Sequence, residues 1–154
     1  MVIRTESGRV LLAIDGEAHS DNAIQGALEL ADDFQLEVVA VHVNDHYVKQ
    51  FFNEIYAQGR EEYLEHVQAC LEVNAREAIA RFETEARKYD IKWTIKVLEG
   101  DPAEQIQSEI HSFQYNLMVL GRKQNRGSSL WRSRDLPEKL LSARNDVPIL
   151  IIPQ

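Results

Sequence analysis

The sequence predicts an α/β protein, a single doubly wound (Rossmann-like) five-stranded parallel sheet with helices on both faces. Three observations lead there. Continuous apolar runs at Val10–Ile14, Val38–Val43 and Leu117–Leu120 read as strands buried on both faces, as in a parallel sheet covered by helices. Segments with helical periodicity alternate with these runs. Each is long enough to carry a right-handed crossover between parallel neighbours.

In chain order, the run at 10–14 is the first strand. A helix comes next over about 20–33, with Ala23, Ala27, Leu30 and Ala31 at helical spacing. After the strand at 38–43, His46–Gly59 carries Phe51, Phe52, Ile55 and Tyr56 and reads as either a short helix or a packed lid. A long amphipathic helix is predicted over about 60–88. Its stripe runs Leu64, Val67, Leu71, Ala75, Ala78, Phe82, Ala86 in steps of three and four. Apolar and polar residues then alternate from Ile91 to Val97, a strand with one wetter face whose lysines suit a sheet edge. The next helix, 102–112, opens on Pro102, where a missing N–H is harmless. The strand at 117–120 runs into Gly121, and a last helix spans about 136–143. Val147–Pro153 is the fifth strand, its prolines placing it at the other edge. Two edges so assigned give the spatial order 3-2-1-4-5.

With 154 residues and 44% hydrophobic content, the chain fits one domain over 1–154 with a sizeable core. No stretch of eighteen apolar residues occurs, so no membrane span is expected. The first residues, MVIRTESGR, hold no apolar signal segment, so a cytoplasmic location is expected. Net charge is −8, unevenly spread: residues 121–144 hold seven Lys/Arg against two Asp/Glu, and the remainder is strongly acidic. An acidic body argues against nucleic-acid binding. The basic stretch is the one candidate anion patch, its bland counterpart being a solvated loop and helix face. Cys70 has no partner for an internal disulfide and reads as a plain helix residue. The five histidines show no HExxH or other zinc spacing.

Motifs of catalysis are absent. There is no Gly-x-Ser-x-Gly elbow and no GxxxxGK[ST] loop. Asp15, His19 and Asp21 fall where α/β ligands bind, yet His19, Ser20 and Asp21 are more simply the start of a helix. His42 sits in a buried run and is expected to be a hydrogen-bonded core histidine. The chain is read as non-enzymatic; weak ATP hydrolysis, and a dedicated anion-dependent enzyme relying on Arg122 or Lys123, are the competing readings.

Taken together, Leu12-Ala13-Ile14-Asp15 with Ser20, the Val41-His42-Val43 strand end, Gly100-Asp101-Pro102-Ala103-Glu104-Gln105-Ile106, Leu117–Gly121 and Val147–Ile152 resemble the universal stress protein family over nearly the whole chain. The resemblance implies a stress-response protein and places Asp15 and Val43 beside an adenosine. ATP-binding members of the family carry the pattern Gly, two residues, Gly, nine residues, Gly, Ser/Thr. Such glycines let backbone N–H groups approach phosphate. Here Gly121 keeps the first position, while Gln124, Arg134 and Asp135 stand at the others.

Asp135 with Glu138 forms a capping-box-like helix start, and Pro137 removes a donor. A carboxylate there opposes a phosphate by roughly 4 kcal/mol at about 4 Å and an effective dielectric near 20, about a thousandfold in affinity. No cofactor is therefore expected in the usual manner of the family. The competing reading is an ATP-binding switch that grips phosphate through Arg122, Lys123 and Arg126, with Gly127 and Ser128 supplying a flexible turn.

The apolar fifth strand (Val147, Ile149, Leu150, Ile151 and Ile152) would invite uncontrolled pairing if bare. A homodimer through this strand is expected, with Trp131 an interface anchor. Other protein partners are expected; membrane and nucleic acid are not.

Overall fold

The structure, a computed structural model, describes residues 8–16, 20–45, 60–122 and 136–154. The element order is β1 (Arg9–Ala13), α1 (Asp21–Phe34), β2 (Glu37–Asn44), α2 (Arg60–Ala86), β3 (Trp93–Glu99), α3 (Pro102–Ser112), β4 (Leu117–Arg122), α4 (Leu136–Ser142) and β5 (Ile149–Pro153). All strands are parallel, in the spatial order β3-β2-β1-β4-β5, as the sequence predicts. The largest boundary shifts are two residues: β3 starts and ends two residues later than the apolar alternation, β4 ends two residues later, β5 starts two residues later, and α2 stops two residues earlier. The segment 46–59, predicted to be a helix or lid, lies outside the described residues.

Alternate strand residues face opposite layers. On one face α1 and α2 cover Val10, Leu12, Ile14, Val38, Ala40 and Val119, with Ala27, Leu28, Ala78 and Phe82 completing the cluster. On the other, α3 and α4 cover Leu11, Val39, Val41, Met118 and Leu120 with Ile106, Ile110 and Leu140. The α2 stripe is buried from Ala75 through Ala86 on the first of these faces, and Leu64 and Leu71 are half-buried.

Local chemistry sets the helix ends. Gln35 takes a left-handed conformation (φ 53°) and returns its N–H to Ala31 O, closing α1. Asp101 caps α3 by accepting from the Glu104 N–H at 3.1 Å, with Pro102 in the first turn. Gly100, at φ 139°, turns the chain out of β3 in a conformation that other side chains resist.

Candidate functional site at the strand ends

Three strands end together at the point where the chain's winding reverses between β1 and β4. Ala13 lies opposite Val41, and Leu12 opposite Val119. Carried two residues on, that register sets Asp15 level with Val43 and brings Gly121 to the same rim. In doubly wound sheets this crevice is the ligand position. Asp15, Val43 and Gly121 are each half-buried, whereas Arg122 is exposed beyond the rim.

Backbone bonds fix the crevice wall. The Ile14 N–H donates to Val41 O at 2.9 Å, extending the β1–β2 ladder by one rung. His42 Nδ1 donates to Ile14 O at 3.1 Å from a buried ring. The direction is set because the carbonyl only accepts. Ser20 Oγ donates to Asp15 O at 3.2 Å, tying the start of α1 back to the end of β1. Gly16 lets this turn lie against α2: a Cβ there would meet Asn74 O at 3.0 Å. Behind β2, Asn44 O accepts from the Gly100 N–H, while the buried Asn44 Oδ1 has no hydrogen-bond partner among the described residues.

On the phosphate side, Lys123, Gln124, Arg126, Gly127, Ser128, Trp131, Arg134 and Asp135 lie outside the described residues, as does His19 before α1. The chain resumes at α4, seven residues long, with Pro137 and the acidic Glu138 in its first turn. A short helix so opened lacks one N–H and carries negative charge where an anion would dock. Asp21, grouped by sequence with Asp15 and His19, is committed elsewhere. Its carboxylate takes both contacts of Arg81 Nη1, at 3.0 and 2.9 Å. The pair lines an open cleft of about 400 Å³ between α1 and α2, with Asn22, Gln25 and Thr84.

A polar cluster that sequence reasoning missed lies beneath α3. Glu109, 6% exposed, accepts at one oxygen from both Lys96 Nζ and the Tyr115 hydroxyl, each at 2.6 Å. The Lys96 ammonium also sits 3.7 Å from the centre of the Phe113 ring. Burial, then the hydrogen bond to the Glu109 carboxylate, pushes the Tyr115 phenol above its ordinary range. Lys96 is therefore not the outward edge lysine that the alternation predicts. The signal was a glutamate between Ile106 and Ile110 on the buried stripe of α3, where a lone charge would be costly. Its closed contacts make it a structural lock rather than a catalyst.

The fifth strand pairs only with β4 among the described residues. Its apolar side chains are largely used within the chain. Val147 and Ile149 pack against the α3–α4 cluster, and Ile152 packs against the α1–α2 cluster. Leu150 is the one β5 side chain left among the exposed large hydrophobics, at 37%. Among the described residues no helix is long and apolar enough to cross a membrane.

Comparison with known proteins agrees with this architecture. The stress response protein NhaX of Bacillus subtilis (strain 168) is 25% identical, over 94% of this chain and 96% of that one. The universal stress protein UspA from Lactobacillus plantarum superposes with a TM-score of 0.71 at 15% identity, covering 97% of this chain and 99% of its own. A universal stress protein from Archaeoglobus fulgidus in complex with dAMP gives a TM-score of 0.61 at 14% identity, covering 96% and 98%. Residues 6–142 match the universal stress protein family itself, and with that match, the sheet order and the strand-end crevice in agreement, the chain belongs to the universal stress protein family.

Proposed function

We propose that this chain is a dimeric, non-enzymatic regulatory module of the stress response whose crevice does not hold ATP in the usual manner of its family. One observation carries the reading. The crevice keeps Asp15 and Val43 level with one another and Gly121 at the same rim, but the helix that should receive the phosphates opens with Pro137 and Glu138, behind Gln124, Arg134 and Asp135 in place of glycines and a hydroxyl. The adenosine side fits a nucleotide and the phosphate side does not, so no step of a mechanism runs through ATP. Regulation would then act through protein contact.

Equilibrium dialysis with ATP and Mg²⁺ tests this directly. No saturable binding is expected at low micromolar nucleotide, and saturation in that range would overturn the proposal. The combined substitution Gln124→Gly, Arg134→Gly and Asp135→Ser is expected to create binding where the parent has none.

A second reading, a nucleotide switch gripping phosphate with Arg122, Lys123 and Arg126, draws support from the dAMP held by the Archaeoglobus fulgidus relative. It predicts binding in the parent chain that is lost on Arg122→Ala.

The dimer is proposed through β5. Its support is the second edge of that strand, which no described strand pairs, together with exposed Leu150. Because Ile149 serves the chain's own core, Leu150→Lys is the cleaner test. Sedimentation should show a dimer that this substitution dissociates. A monomeric parent, or a dimer indifferent to it, would refute the interface.

A further inference from the structure

The first turns of α1 hold two parts of the molecule at once. At the crevice wall, Ser20 Oγ donates to Asp15 O at 3.2 Å. At β5, Asn22 Nδ2 donates to Pro153 O at 3.3 Å, and Gly26 leaves a notch occupied by the end of Ile152. We propose that α1 is a clasp that couples the crevice to the β5 seam, so that forming the dimer steadies the strand-end rim. The inference rests on the β5 dimer put forward above.

The notch carries the argument. A Cβ at Gly26 would lie 2.5 Å from Ile152 Cδ1 and 3.9 Å from its Cγ1, so helix and strand approach as closely as a glycine allows. Ile152 packs on from there into the α1–α2 cluster. Side chains two apart on a strand share a face, and Leu150, the exposed apolar side chain of β5, is two residues from Ile152. The seat of Ile152 on α1 therefore sets the level at which Leu150 is presented.

The same contacts reach the crevice. Ile152 lies opposite Gly121, and Pro153 opposite Arg122, so the end of β5 is the outer lip of the rim. With the strands in the order β1-β4-β5, α1 is tied to Asp15 on one side of Gly121 and to Pro153 on the other. These ties are few and sit at a helix end, where local opening costs least. Coupling of this kind is reciprocal. Whatever steadiness the dimer gives the first turns of α1, breaking those contacts takes from the dimer.

Two measurements test the clasp. Hydrogen exchange compares the parent with the Leu150→Lys monomer. The Gln25, Gly26 and Ala27 amides, which close the first turn, should exchange at least about fivefold faster in the monomer, the lower end of ordinary coupling, while those of α3 stay unchanged. Sedimentation then follows the dimer in clasp variants. A methyl at Gly26 would be cleared by turning the end of Ile152, whereas Gly26→Leu overfills the notch and keeps a good helix former in α1. It should weaken the dimer by more than about tenfold, in line with the cost of overpacking. Ile152→Ala in the same chain should recover most of that loss. Asn22→Ala, at an exposed position, should weaken the dimer by about threefold for one hydrogen bond. Circular dichroism checks that each variant folds. Folded Gly26→Leu and Asn22→Ala chains that dimerise like the parent, a Gly26→Leu loss that Ile152→Ala leaves in place, or equal exchange in parent and monomer overturns the clasp and leaves the β5 dimer standing. A monomeric parent, or a dimer indifferent to Leu150→Lys, overturns both.

Discussion

On the face covered by α1 and α2 the sheet packs into an apolar cluster, with Phe82 edge-on to Trp93 at 5.5 Å between centroids. The face covered by α3 instead holds a carboxylate between Ile106 and Ile110, closed by a lysine and a phenol. The first face is specified by volume, because any apolar set of the right size would bury the same surface. The second is specified by geometry, because Glu109 is tolerated only while its partners converge. One layer of a sheet can thus be permissive and the other exacting.

The largest expected effect lies on the apolar face. Phe82 is fully buried, and Phe82→Ala should cost about 3–5 kcal/mol through lost transfer energy and the cavity left behind. Urea unfolding would show this as a lower midpoint at unchanged slope. A loss below about 1 kcal/mol would mean that the face collapses to fill the gap, and the contrast in packing would fall.

The polar face should respond according to what is removed. Glu109→Ala strips Lys96 and Tyr115 of their acceptor and is expected to cost about 2 kcal/mol, below the range for a fully buried pair because Lys96 is 32% exposed. Replacing the network together, Lys96→Met with Glu109→Leu and Tyr115→Phe, should return stability to within about 1 kcal/mol of the parent. If the triple variant is as unstable as the single one, the network has a value that apolar packing cannot supply.

This contrast also separates what was legible in the sequence from what was not. Strand order and edge positions came from Val10–Ile14, Val38–Val43 and the proline-bracketed Val147–Pro153, since burial on two faces leaves its mark residue by residue. Asp15, Val43 and Gly121 were singled out by the family resemblance, and the parallel register sets them at neighbouring strand ends. Lys96 was misplaced, however, because alternation along β3 reports which side a residue takes, not what waits there. Its partners, Glu109 and the Phe113 ring, are 13 and 17 positions later in the numbering, and only the packing of α3 across β3 joins them. Asp21 begins α1, as its position in the sequence suggests, but its pairing with Arg81 sixty residues away left no mark there. Periodicity carries layers; pairing of charges across layers is a property of the assembled fold.

Tyr115 makes the polar face sensitive to alkali. Its phenol is raised in the folded chain by burial and by Glu109, so the folded state holds the proton more tightly than the unfolded one. The resulting stability is complete below about pH 10 and is lost as pH climbs through the folded value. Tyr115→Phe should cost about 1 kcal/mol at neutral pH for the lost hydrogen bond, and should flatten the alkaline decline in thermal midpoint. An equally steep decline in the variant would move the alkaline sensitivity to another group.

The smallest effect is expected from the ion pair on the outside of the apolar face. Arg81 and Asp21 meet at 2.9 Å, close to the 2.6 Å of Lys96 and Glu109, but their side chains are 40% and 51% exposed. Water already solvates both groups, so pairing recovers little, and two long side chains lose freedom to achieve it. Arg81→Ala should therefore change stability by about 0.5 kcal/mol, less in high salt. Glu109, at 6% exposure, has no water to fall back on, which is why distances that look alike carry different weights. Should Arg81→Ala cost as much as Glu109→Ala, burial would not be what distinguishes the two pairs. The cleft between α1 and α2 would then be held by its charges, and the division of labour between the two faces would have to be redrawn.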